Sequence, residues 1–116
     1  MTATAPTTEE IARAESHHDY AMAHLDSVAY WEKHRSKKKV AHHLAIAYDR
    51  EYQAAEIVAP FVGFEPSRSI LMRSAATLAM RVGSQSSRLE AEGLVNRALA
   101  GNPPAEIARE LREVLT

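Results

Sequence analysis

Residues 72–105 read MRSAATLAMRVGSQSSRLEAEGLVNRALAGNPPA, and the spacing of small and aliphatic residues within them predicts a helical hairpin. Counted from Ala75, the residues Leu78, Ala79 and Val82 fall on one helical stripe, and Ala91, Val95 and Ala98 fall on a second. Small side chains let two helix axes approach closely while larger ones fill the space beside them. Gly83 stops the first helix, and Ser87 with Glu90 three residues on reads as a capping box that starts the next. Gly101 and Pro103 close the second helix. Two antiparallel rods meeting at Gly83 to Ser86 are therefore expected.

The same positions resemble a tetratricopeptide repeat, whose signature runs W-x2-L-G-x2-Y, then A-x3-F, a further alanine and a closing proline over about 34 residues. Ala75 stands where the repeat has its Trp, Leu78 and Ala79 stand at Leu-Gly, and Val82 stands at Tyr. Ala91 and Val95 take the A-x3-F positions, and Ala98 and Pro103 the last two. A degenerate earlier copy opens with Ala41, Leu44, Ala45 and Tyr48, and continues with Ala54, Val58, Phe61 and Pro66. It lacks most of the turn between its two halves. The resemblance covers residues 38–105 and implies a short stack of antiparallel hairpins, a TPR-like solenoid or bundle that holds a protein segment in a groove. The family's groove positions fall on Lys39, His42 and Ile46 in the first copy, and on Arg73, Ala76 and Met80 in the second.

Working outward, residues 1–8 are small and polar and read as a flexible tail, with Thr7 or Thr8 able to cap the helix behind it. Ile11, Ala14, His18, Ala21, Leu25, Val28 and Ala29 then recur at helical intervals, which predicts a long helix to about His34. A second helix, merged or sharply bent, is expected from Ser36 to about Ala59, with Tyr48, Tyr52, Ala55 and Val58 on its stripe and Pro60 ending it. Gly63 suits a left-handed closure, and Pro66 suits the first turn of a third helix that reaches Arg81. After Pro104 a last helix carries Ile107, Leu111, Val114 and Leu115 on one face and charge on the other, as a terminal cap requires. The expected architecture is all-α: about five helices in a single domain over residues 9–116.

The chain has no cysteine, which removes disulfides, thiolate metal sites and cysteine nucleophiles from consideration. Its formal net charge of −1 argues against nonspecific polyanion binding by the molecule as a whole. The longest apolar run, residues 57–64, is too short to span a bilayer and contains Pro60 and Gly63. No secretory leader is legible in residues 1–8, so a cytoplasmic protein without membrane contact is expected. There is no Gly-rich phosphate loop, Ser elbow or HExxH motif, which points to a non-enzymatic protein with no cofactor.

Local clusters stand out against this neutral background. Lys33, Arg35, Lys37, Lys38 and Lys39 concentrate positive charge around a helix junction, directly after Tyr30 and Trp31. Cations are welcome at the end of one helix but cost a few tenths to about 1 kcal/mol each at the start of the next. An anionic partner, nucleic acid included, would account for them, with the two aromatic rings available to stack on bases. All six histidines lie in the first 43 residues. His17 and His24 share a helical face, and His42 and His43 open the neighbouring helix, so a transition-metal site supported by Asp19 or Asp49 is geometrically open, as is simple solvation. Neither spacing is specific, and no metal ligand is assigned. Glu15-x-x-His18 resembles half of a carboxylate-histidine metal motif, without the second half it would need. Tyr20, His24 and Trp31 align on one helix face and form a candidate self-association surface. Together these features predict an adaptor that binds a protein or peptide segment, an acidic one included; the alternatives are a nucleic-acid or polyanion binder and a structural homodimer.

Overall fold

A computed structural model describes residues 5–116, and all regular structure among them is helical. The elements are α1 (Thr8–Lys33), α2 (Lys37–Val58), α3 (Ser67–Val82), α4 (Gln85–Ala100) and α5 (Ala105–Val114). The tail read over residues 1–8 lies partly outside the described residues; of the remainder, Pro6 is buried and Thr7 is the N-cap of α1. Thr7 Oγ1 accepts from the Glu10 amide at 3.1 Å, and Glu10 accepts from the Thr7 amide at 2.8 Å, completing a capping box.

Burial on α1 repeats every seventh residue, at Ala14, Ala21 and Val28. On α2 it alternates by three and four, at Leu44, Ala47, Glu51, Ala54 and Val58. Small residues on facing stripes let the two axes pack closely along their length. Cross-helix partners fix the direction: His18 meets Glu51, His24 meets His43, and Trp31 meets Lys39, so α1 and α2 are antiparallel. The second helix is one continuous rod. Its other side, with Ala55 buried and Tyr48 and Tyr52 half-buried, joins the main core.

That core is built by α3 with α4 and α5, around Met72, Ala75, Ala76, Ala79, Leu94 and Leu111. Gly83, at φ 75°, closes α3, and α4 begins two residues later. Residues 72–105 thus form the expected pair of rods, meeting at Gly83 and Ser84. The cap of α4 is Ser84 and not Ser87: Ser84 Oγ accepts from the Ser87 amide at 3.1 Å, while Glu90 accepts from the Tyr48 hydroxyl at 2.8 Å. Three serines in four positions made that boundary ambiguous. Gly63 is not left-handed either, since Gly83 is the one glycine at positive φ among the described residues. The end of α2 is held instead by Arg68, whose Nε donates to the Ala59 carbonyl at 2.7 Å.

Candidate binding cleft at the α1–α2 corner

The end of α1, the start of α2 and the end of α3 enclose an open cleft of about 650 Å³. Such a volume falls within the range of about 300–1,000 Å³ usual for ligand pockets. Trp31, Val40, Leu44 and Val82 supply its apolar lining, and Arg35, Lys37 and Arg81 bring cations to it, with Glu32 the one carboxylate. Arg81 reaches Glu32 at 3.6 Å.

The corner is built against local preference. Arg35 has φ 57°, the left-handed region in which glycine is unstrained and other residues are not. The turn demands that conformation: the amide of Ser36 donates back to the Trp31 carbonyl at 3.0 Å and that of Arg35 to Glu32 at 3.2 Å, closing α1. An arginine in the glycine position puts a guanidinium on the cleft. Directly after it, Lys37, Lys38 and Lys39 occupy the first turn of α2, which contains no acidic residue to offset the helix dipole. Lys39 then turns its Nζ over the Trp31 ring, 3.8 Å from the centroid, and Tyr30 packs edge-on to Trp31 at 4.9 Å.

Of the basic candidates, Arg35 and Lys37 line the cleft, Lys39 covers Trp31, and Lys33 and Lys38 are exposed beside it. The expected groove is divided. Lys39 and His42 are exposed and Ile46 is half-buried, but on α3 the corresponding residues are engaged. Ala76 has no accessible surface, Met80 packs on the core shared with α5, and Arg73 donates to Glu110 of α5 at 2.7 Å. Ala76 is therefore closed to a partner, while Arg73 and Met80 stay partly accessible beside the core that α5 joins. Compared with protein-family models, curated proteins and solved structures, the chain matches none of them.

The aromatic face of α1 also makes contacts within the chain, although Tyr20 stays 46% exposed. Tyr20 carries the Arg50 guanidinium 4.3 Å above its ring, His24 contacts His43, and Trp31 is covered by Lys39. The histidines separate into different settings. His17 lies 3.4 Å from Arg50, and Asp49 accepts from Gln53 at 2.8 Å, so the wider cation site suggested by the sequence is not assembled. Among the described residues no three His, Asp or Glu side chains converge as around a metal ion. His18 pairs with Glu51 and not with Glu15, its Nδ1 lying 2.9 Å from Oε1. His24 and His43 bring their Nδ1 atoms to 2.9 Å. Burial above all, and then the charges of His43, His42 and Arg50, hold His24 below the usual histidine range.

Sequence reasoning missed Glu51, which is fully buried and accepts from Ser74 of α3 while holding His18 of α1. Its signal was present: Glu51 interrupts the apolar series Leu44, Ala47, Ala54, Val58 at its central position. A second cavity, of about 230 Å³, lies at the opposite end of α1 between Ile11, His18, Phe64 and Leu71. No buried side-chain nitrogen or oxygen among the described residues lacks a partner, so no interior polar group is left waiting for a ligand.

Proposed function

We propose that this protein is a non-enzymatic adaptor that docks an acidic, amphipathic protein segment in the cleft at the α1–α2 corner. The observation that carries the reading is the coincidence of two locally unfavourable choices, Arg35 in a left-handed turn and lysines at a helix start, beside one apolar cleft. Strained residues persist where the surroundings impose them, and they cluster at binding sites. An apolar side chain of the partner would enter between Trp31, Leu44 and Val82 while its carboxylates meet Arg35, Lys37 and Arg81. In this proposal the scaffold is the TPR-like hairpin 72–105 together with α2, a single rod in which the two halves of the earlier copy, residues 41–48 and 54–58, form no hairpin. The ligand face moves from the α3 stripe to the corner, with Lys39 shared between the two.

Trp31 is the sole tryptophan, so its emission reports on the cleft directly. Titration with a helical peptide of alternating Leu and Glu faces should shift that emission saturably, and a Lys-for-Glu version of the peptide should not. Equal responses to both peptides, or none to either, reject the cleft. A polyanion reading is favoured instead if a single-stranded oligonucleotide gives the tighter response, with affinity that collapses between low and moderate salt.

A further inference from the structure

One cross-helix contact serves neither the cleft nor the core. His24 of α1 and His43 of α2 point their Nδ1 atoms at each other, 2.9 Å apart, with ring centroids separated by 5.1 Å and both side chains only half-buried. A neutral pair satisfies this contact as one N–H donor and one acceptor. With both rings as Nε2–H tautomers, the contact instead brings together two Nδ1 lone pairs, as ligand atoms are. For metal–nitrogen bonds of about 2.0–2.1 Å, nitrogens about 2.9 Å apart subtend close to a right angle at the ion, whereas a tetrahedral opening needs about 3.3 Å. Right-angled nitrogen sets suit the tetragonal preference of copper(II) and nickel(II), and copper(II) stands highest in the divalent affinity order.

We propose that His24 and His43 form a two-nitrogen chelate for a late first-row divalent ion, copper(II) ahead of nickel(II), with water completing the coordination. The ion would staple α1 to α2 midway along the hairpin. Only the two protein ligands are supplied, so the site binds an exchangeable ion. The nearest other aromatic groups are Tyr20, 4.9 Å from His24, and His42, packed edge-on to His43 at 5.1 Å. His42 is the natural competitor for the ligand role, and Arg50, close to His17 and Tyr20, is the nearby cation that opposes binding.

The test uses the full-length untagged protein, titrated with buffered copper(II) and followed by thermal melting and by electron paramagnetic resonance. One equivalent should raise the melting temperature and give a tetragonal signal with hyperfine coupling to two nitrogens. His24→Gln and His43→Gln should each weaken binding at least tenfold and abolish the thermal shift, while His17→Gln and His42→Gln keep both. Retention of full affinity in His24→Gln or His43→Gln overturns the assignment, as does loss in His42→Gln alone. Should either critical variant fail to fold, the wild-type spectrum decides: fewer than two coupled nitrogens, or no change in melting, removes the site.

Discussion

Single side chains carry more of this structure than their burial suggests. Arg68 is 3% exposed and ties two helix ends together, donating to the Ala59 carbonyl after α2 and, through Nη1 and Nη2, to Ala98 and Arg97 in the last turn of α4 at 3.4 and 3.0 Å. A planar guanidinium fork reaches both ends at once, which a lysine ammonium cannot. Arg68→Ala should cost about 3 kcal/mol, read as a lowered urea midpoint, and Arg68→Lys should recover little of it. Gly101 belongs to the same device, because a Cβ there would lie 2.6 Å from Arg68 Nη1. Gly101→Ala is expected to destabilise by about 1–3 kcal/mol, and its effect should shrink once Arg68 is already alanine. Arg35 gives the opposite sign. Arg35→Gly relieves the left-handed strain and should stabilise the protein by about 1 kcal/mol, while weakening the acidic peptide several-fold in the Trp31 titration. A variant that gained stability without losing affinity would detach Arg35 from binding.

At the scale of elements, the α1–α2 hairpin depends on polar contacts placed inside an otherwise alanine-rich seam. Glu51 sits between His18 of α1 and Ser74 of α3, so three helices share one buried carboxylate. Removing a partner from such a cluster leaves the remaining groups without their hydrogen bonds, and Glu51→Ala should cost about 3 kcal/mol with α1 loosened most, visible as faster amide exchange along that helix. His24 adds a pH dependence. Its folded-state value lies below the unfolded value of about 6.5, so between the two the unfolded chain binds more protons than the folded one. The stability it supports is complete above that unfolded value and declines as pH falls towards the folded one. Urea midpoints of the metal-free protein should drop from pH 7.5 to pH 5.5, and His24→Gln should flatten the drop.

Across the whole molecule, α3 is the hub. It packs on α2, α4 and α5, whereas α1 packs along α2 and meets α3 through side chains, with Val28 and Leu78 in one apolar cluster and Glu32 at 3.6 Å from Arg81. Amide exchange should therefore be slowest in α3. The last helix is more than a lid: Ile107 and Leu111 belong to the same core as Met72, Ala76 and Leu94. Deleting residues 102–116 would uncover that apolar face, and loss of cooperative unfolding or aggregation on heating is the expected outcome. No helix among the described residues is long and apolar enough to cross a membrane.

The number, order and approximate limits of the five helices were legible in the chain, because helical periodicity, Thr7, Gly83 and the prolines act within a few residues of themselves. The hairpin at residues 72–105 was legible for the same reason, whereas the sequence left α2 merged or sharply bent and the structure made it one rod. The basic run could be read as a cluster, but its union with Arg81 and Val82 in one cleft could not, since those residues arrive from a helix some forty positions later. Placement of Ala76 and Met80 in or against the core that α5 joins, sharing of Glu51 by three helices, and convergence of Arg68 on two helix ends were also decided by the tertiary structure. Local signals say where each rod begins, ends and is apolar; which face meets which neighbour depends on long-range packing among nearly equivalent alanine-rich stripes, and that choice is made only when all five helices are assembled.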